Sequence, residues 1–373
     1  MSVTPLSSTD TFSLALDARR WGRTGLGRYQ SELYRAFRAC APGVRLTLAG
    51  GPAARAAAAE LHAGHVPYDS GLYSVSEQLL GGRAMRAAAA DLYHFPHYAV
   101  PFAAPQPFVV TVLDLIHFRF PRLFGRAKVA IAQRVLERAV TRAARVICIS
   151  ESTRRDLLAI VPSVRERAHV IHLGVSGRFA PSSPEAVEAA RRKLGVQRFV
   201  LSAGDREPYK RYDVAAAAFD RLRARDAALH FVVYGERGPS GVADPPGTVR
   251  VERLSDEELV TLYSGAECLL FPSSYEGFGL PPLEAMACGC PVVCGRGSSL
   301  DEVFAGAALQ VNAADAAEVA DAAWLLVSDS DARAAAIARG RAHAARFTWR
   351  ATALRTLDVF RLALGVSPGG DTR

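Results

Sequence analysis

Two carboxylates eight residues apart, Glu276 and Glu284, stand in a segment whose other residues suit it to holding an anion: Ser273-Ser274-Tyr275-Glu276-Gly277-Phe278-Gly279-Leu280-Pro281-Pro282-Leu283-Glu284. An apolar run ends at Phe271 and a glycine-bearing turn follows. Pro281-Pro282 then fits the first turn of a helix, where a missing N–H costs nothing. Amides around Gly277, Phe278, Gly279 and Leu280 can take diphosphate oxygens at such a helix start. Glu284, one turn in, can accept from ribose hydroxyls, and Glu276 can do the same for a sugar. A lone glutamate beside a glycine reads as a surface turn; two in this strand-turn-helix frame read as a site. Upstream, Ser202 to Arg211 follows a strand and carries Gly204, Arg206, Lys210 and Arg211. A lysine held there can supply positive charge to a bound anion. Lys210 is one of only three lysines among 45 basic residues, which weighs against a casual loop lysine. Arg206 or Arg211 would supply a second cation. Gly25-x-Gly27 opens a helix after the first strand, so its backbone can also approach a phosphate closely.

These residues must be positioned by an α/β fold. Short β-branched runs alternate with helical patterns, as in parallel sheets with crossover helices. Strands are expected at Phe12 to Leu16, Val44 to Leu48, Phe108 to Val112, Arg145 to Ile149, Phe199 to Ala203, His230 to Tyr234, Cys268 to Phe271 and Pro291 to Cys294. Helices are expected over Gly27 to Arg38, Lys128 to Ala143, Ala215 to Arg225 and Asp315 to Val327. The apolar run at Val170 to Leu173 ends at Gly174, and Ala180-Pro181-Ser182-Ser183-Pro184 precedes a new series of elements. This places a first Rossmann-like domain at 1–175 and a second, which carries the Glu276 to Glu284 segment, at 176–350, with 351–373 as a final helix that returns to the first domain, plus a tail. The two face a central cleft in this reading.

At 373 residues, half of them hydrophobic, the chain can bury two cores. No apolar run has the length of a membrane span, and the polar N-terminus lacks the pattern of a signal peptide, so a cytoplasmic location is expected. Six cysteines in apolar stretches read as reduced thiols; Cys288, Cys290 and Cys294 are close in sequence, but with no histidine cluster beside them no metal site is expected. Residues 1–180 carry 23 basic and 12 acidic side chains, against 22 and 25 in the remainder. That basic half suits solubility, a phosphorylated acceptor or an anionic lipid surface. Nucleic acid is disfavoured because the basic residues are not interleaved with exposed aromatics. Arg134, Arg138, Arg142 and Arg145 fall on one helical stripe, a solvated face or a weak, salt-sensitive peripheral contact with the inner face of a membrane.

With its Glu-x7-Glu segment the chain resembles the retaining glycosyltransferases of family 4, glycosyl transferases group 1, which have the two-domain GT-B fold. Asp17 to Tyr29, His94-Phe95-Pro96, Val110 to Leu115, Ile147 to Asp156 and Phe347-Thr348-Trp349 extend the similarity, particularly to mannosyltransferase-like members. The resemblance implies Glu276 at the hexose, Glu284 at the ribose and Glu207-Pro208-Tyr209-Lys210 at the leaving group. It implies transfer of a hexose with retention and without metal, from GDP-mannose or a UDP-sugar to a glycan, lipid-linked or small-molecule acceptor, with no other cofactor. The chain departs from the family in three places. Tyr209 replaces an arginine, and Leu113-Asp114 replaces His-Asp, leaving Asp114 with His117, three residues on, as the nearest substitute. Leu173-Gly174-Val175-Ser176 stands where the family has Asn-Gly-Val-Asp. Rival readings are a nucleotide-sugar epimerase or phosphorylase-like enzyme of the same fold, and a non-catalytic nucleotide-sugar-binding protein.

Overall fold

The structure, a computed structural model that describes residues 11–22, 24–203, 207–235 and 241–366, divides into two compact units. The first runs to Gly174 and takes back the chain from Trp349 onward; the second is Val175–Thr348. Both are α/β, and every strand pair within each sheet is parallel.

The first unit contains β1 (Ser13–Asp17), β2 (Arg45–Gly50), β3 (Gly64–Pro67), β4 (Leu92–Phe95), β5 (Phe108–Val112), β6 (Arg145–Cys148) and β7 (Ala168–Val170), in the order β3-β2-β1-β4-β5-β6-β7. The second contains β8 (Arg198–Ala203), β9 (Leu229–Tyr234), β10 (Thr248–Val251), β11 (Leu269–Phe271), β12 (Val292–Gly295) and β13 (Leu309–Val311), in the order β10-β9-β8-β11-β12-β13. The central strands have the composition that burial on two faces demands: all five residues of Phe-Val-Val-Thr-Val in β5 are buried. In each sheet the chain winds outward in one direction and then in the other. The switch points lie between β1 and β4, and between β8 and β11. Loops leaving the carboxyl ends of the two strands at a switch point diverge, and the crevice they leave is where open α/β sheets bind ligands.

The last helix, Trp349–Ala363, packs on the helix Thr24–Cys40 of the first unit. Phe360 meets Phe37 edge-on at 5.7 Å and His94 at 5.3 Å, and Thr352 Oγ1 donates to the carbonyl of His172 at 2.9 Å. His94 is a core residue. Its Nδ1 is 2.7 Å from the Tyr34 hydroxyl and its Nε2 2.8 Å from Thr111 Oγ1, and burial holds its pKa down at about 3. The unfolded chain therefore binds a proton that the folded chain refuses between about pH 6.5 and 3. Stability should fall as pH drops through that window, by up to about 1.4 kcal/mol per unit for this side chain. Thermal melts from pH 7.5 to 4.5 should show the decline, and His94→Gln should flatten it.

The basic stripe is not a solvated face throughout. The helix is Arg126–Arg142, and Arg145 begins β6, because Arg145-Val-Ile-Cys supplies three buried strand residues. Arg138 Nη2 donates to the Val100 carbonyl and to Gln78 Oε1 at 3.2 Å, with its guanidinium 3.7 Å over the Phe102 ring. Arg142 donates to the Phe102 carbonyl at 2.5 Å. Two of the four arginines thus hold the segment Val100–Phe102 in place.

Candidate active site

In the second unit, the loops that leave the switch point carry the residues with chemistry. After β8 the chain forms a short 3-10 turn, Pro208–Lys210; after β11 it enters the segment that contains Glu276. The two loops are joined through backbone. The Tyr209 carbonyl accepts from Ser274 N at 2.8 Å and Ser274 Oγ at 3.0 Å. That joint places Lys210 Nζ 3.0 Å from Glu276 Oε1, an ion pair whose side chains are 25% and 14% exposed. The lysine also lies 5.3 Å from the centre of the Phe271 ring. Glu276 is held at three further points. Ser273 Oγ donates to its Oε1 at 2.8 Å, its own N–H donates to Ser298 Oγ at 3.0 Å, and Ser299 Oγ donates to its carbonyl at 2.9 Å. A cation and a carboxylate are therefore presented together, partly screened from water, by two hydrogen-bonded loops.

Beyond Glu276, Gly279 caps the helix Leu280–Ala287, with prolines in its first turn. Gly279 has φ 96°, and a Cβ there would lie 2.8 Å from the Phe304 ring and 3.0 Å from Leu300. Conformation and space both require glycine. Phe278 is buried and meets Phe347 edge-on at 6.0 Å, so its side chain serves packing and only its backbone is available to a ligand. Glu284 is buried within the helix. It lies near the Tyr263 hydroxyl, which is itself 2.6 Å from that of Tyr234; burial first, then Tyr234 and Glu284, push the Tyr263 phenol well up. Arg211, at φ 55°, turns its guanidinium onto Asp213 at 2.9 Å, which holds that carboxyl below its ordinary range. This cation is already paired. Gly204 and Arg206 lie outside the described residues.

The other sequence-derived residues belong to the first unit. Gly25 and Gly27 lie in the opening of the helix Thr24–Cys40. A Cβ on Gly27 would sit 2.2 Å from the Arg20 carbonyl, whereas one on Gly25 meets nothing within 4 Å. Gly27→Ala should therefore cost about 1–3 kcal/mol by overpacking, and Gly25→Ala should leave the melting temperature unchanged or slightly raised. Urea titration of both variants checks this. A loss of activity in Gly25→Ala would then be a ligand effect. Asp114 Oδ1 accepts from Ile116 N at 3.2 Å. His117 packs on Phe124 with ring centres 4.3 Å apart, and its Nδ1 is 3.3 Å from the Tyr98 hydroxyl. Burial lowers the His117 pKa and Asp114 partly offsets it.

Two family models match the chain over most of its length, "Glycosyltransferase Family 4" over residues 23–176 and "Glycosyl transferases group 1" over residues 185–343. The chain belongs to the family 4, group 1 glycosyltransferases. O-antigen chain mannosyltransferase B of Escherichia coli is 28% identical over 285 residues, covering 73% of this chain and 74% of that one. D-inositol 3-phosphate glycosyltransferase of Thermobispora bispora is 32% identical over 284 residues, covering 69% of this chain and 65% of its own length. Among solved structures, Anabaena HepE in complex with UDP and glucose superposes with a TM-score of 0.75 at 16% identity, over 94% of this chain and 99% of that one. WaaG, a glycosyltransferase involved in lipopolysaccharide biosynthesis, gives 0.68 at 15% identity, over 93% and 99%. These likenesses establish the GT-B fold.

In this glycosyltransferase three residues of the second unit escaped the sequence reading: the serines that hold Glu276. Ser273 adjoins the motif and could have been inferred. Ser298 and Ser299 could not, since their partner is more than twenty residues away and only the packing of the segment after β12 brings them together. The first unit hides an ion-pair cluster, too. Arg19 donates to both carboxylate oxygens of Asp17, at 2.8 and 2.6 Å, to Glu77 Oε1 at 2.6 Å and to Ser70, and all three charged residues are buried. It ties the loop after β1 to the start of the helix Val75–Ala87.

Proposed function

We propose that this glycosyltransferase moves a hexose from a nucleoside diphosphate sugar to a hydroxyl of a glycan, glycolipid or small molecule, with retention at the anomeric carbon. The observation that carries the proposal is the Lys210–Glu276 pair at the switch point of the second unit, beside a glycine-capped helix with Glu284 one turn in. Lys210 and the amides at Gly277 and Gly279 would stabilise the departing diphosphate without a metal ion. Glu276, steadied by Ser273, would orient the hexose, and Glu284 the ribose. The leaving phosphate oxygen would take the acceptor proton, so no enzymic nucleophile is assigned. GDP-mannose is the favoured donor, supported by the similarity to the Escherichia coli mannosyltransferase; a UDP-sugar is the alternative. The test is incubation with GDP-mannose and UDP-glucose in EDTA, following release of nucleoside diphosphate. Release from one of them that Glu276→Ala abolishes supports the reading, and release from neither, with or without magnesium, contradicts it.

We further propose that the first unit rests on an anionic lipid surface. No helix among the described residues is long and apolar enough to cross a membrane, so the contact would be peripheral. Val75 and Leu79, 76% and 74% exposed, share a helix with the exposed Leu80, and Phe102, Leu123 and Ile131 are exposed too. Gln78 and Phe102 both meet Arg138, which brings the first helix, the loop and the helix Arg126–Arg142 side by side. Arg83, Arg86, Lys128 and Arg134 are exposed on the same two helices. Apolar side chains among cations suit anionic headgroups. Flotation with phosphatidylglycerol vesicles should capture the protein in low salt, and Leu79→Glu with Phe102→Glu should release it. Equal capture of wild type and variant would rule this surface out.

A further inference from the structure

The helix Ser298–Phe304, which follows β12, meets the turn that carries Glu276 at both of that turn's ends. At one end Ser298 and Ser299 bond the backbone of Glu276; at the other, a Cβ on Gly279 would strike Leu300 and Phe304. The approach to the helix is equally close. A Cβ on Gly295, the last residue of β12, would lie 2.4 Å from the Ser273 carbonyl, so backbone packs directly on backbone there. The helix is anchored by bonds that do not involve Glu276. Gly297 N donates to Asp301 Oδ1 at 2.8 Å, Gln310 Nε2 donates to the Leu300 carbonyl at 3.0 Å, and Ser299, Leu300 and Phe304 are buried.

What this helix does to Glu276 follows from the planarity of the peptide bond. Two peptide planes meet at the Cα of Glu276. Ser298 Oγ accepts from the N–H of the first at 3.0 Å, and Ser299 Oγ donates to the carbonyl of the second at 2.9 Å. With both planes held, the Cα–Cβ bond has one direction. The far end of the side chain is held through Oε1 alone, which accepts from Lys210 Nζ at 3.0 Å and from Ser273 Oγ at 2.8 Å. Among the described residues no hydrogen bond reaches Oε2. The carboxylate therefore presents one uncommitted oxygen, at a point that bonds to both its backbone and its side chain define.

Ser298 holds its place in a strained conformation. Its φ is 56°, directly after Gly297 at φ 105°. A serine is uncommon in the left-handed region, where a glycine would sit without strain. Such strain, held by the surrounding structure, recurs at ligand-holding and catalytic sites. Here the serine contributes what a glycine lacks, an acceptor for the Glu276 N–H. Among the described residues its hydroxyl makes no other hydrogen bond.

We propose that Ser298 and Ser299 are positioning residues for the transfer: they aim Glu276 Oε2 at a hydroxyl of the donor hexose, and they act on the reaction through that carboxylate. The proposal rests on the hexose-orienting role argued above for Glu276. It assigns the helix Ser298–Phe304 to the sugar end of the donor and gives it no part in holding the nucleotide.

The test uses the full chain. Release of nucleoside diphosphate from GDP-mannose and UDP-glucose gives kcat and KM, calorimetry with GDP and UDP gives affinity and the number of sites, and thermal melts report the fold. Ser298→Gly and Ser299→Ala should each lower kcat about tenfold or more, as expected for a misplaced orienting group. The change in donor KM should be smaller, and nucleotide affinity and stoichiometry should be those of wild type. Ser298→Gly should melt close to wild type, because glycine takes φ 56° freely, which separates lost positioning from lost fold. Ser298→Asn, which tolerates that conformation and keeps a side-chain acceptor, should recover part of the rate. In a Glu276→Gln background the loss caused by Ser298→Gly should shrink, because the serine acts through the carboxylate. Wild-type kcat in both serine variants overturns the proposal, as does an equal loss from Ser298→Gly in both backgrounds. No release by wild type from either donor, or full kcat in Glu276→Ala, would instead contradict the transfer reading, which keeps the two failures apart.

Discussion

Lys210→Ala should lower the rate of transfer on the order of a hundredfold or more while leaving the fold intact. The lysine sits in a short turn, partly exposed, and among the described residues its only ion pair is with Glu276, so little of the core depends on it. In the proposed reaction its worth would lie in the charge that develops as the glycosidic bond to the diphosphate breaks; before that moment the same charge would be offset by Glu276. The loss should therefore fall mainly on kcat, with a smaller change in KM for the donor. Lys210→Arg keeps the charge but not its point-like placement, and should recover part of the rate. Steady-state kinetics on the wild type and both variants measures this. A rate in Lys210→Ala within threefold of wild type would remove the lysine from the mechanism.

The second large effect is structural. Arg19→Ala should destabilise the first unit by about 3–5 kcal/mol, because it leaves Asp17 and Glu77 buried without their cation. Arg19 makes bonds to Asp17, Glu77 and Ser70 and lies 4.7 Å over the Tyr68 ring, and all of these contacts are lost with it. The triple variant Arg19→Met, Asp17→Asn, Glu77→Gln removes the charges together and should recover a large part of the stability. Urea unfolding followed by tyrosine and tryptophan fluorescence would show the difference; equal midpoints for wild type and Arg19→Ala would show that the cluster is not stabilising.

What could be read from the sequence follows from how local each signal is. β5 was legible because Phe-Val-Val-Thr-Val is apolar on both faces of a strand, as a central parallel strand must be. β3 and β10 were not, because Gly-His-Val-Pro and Thr-Val-Arg-Val lie at sheet edges, where half-exposed residues give no apolar run. The strand expected from Arg145 is β6, and only the grouping of Arg145 with the helical stripe fails, because an arginine every three or four residues continues past the end of the helix at Arg142. The Glu276 to Glu284 segment was legible since its strand end, turn and helix start are contiguous. The Arg19 cluster and the clamp of Ser298 and Ser299 on Glu276 were not, because each joins segments that only the fold brings together.

The central claim, that the second unit holds a nucleoside diphosphate through its switch-point loops and Glu284, is tested most directly by calorimetric titration of GDP, UDP, ADP and dTDP, without added metal, into wild type and Glu284→Ala. One nucleotide should bind clearly best, GDP if the donor is GDP-mannose, and the substitution should weaken it about tenfold, the loss of a charge-assisted hydrogen bond to the ribose. Binding of none of them by the folded wild type, or equal binding by Glu284→Ala, would contradict the account.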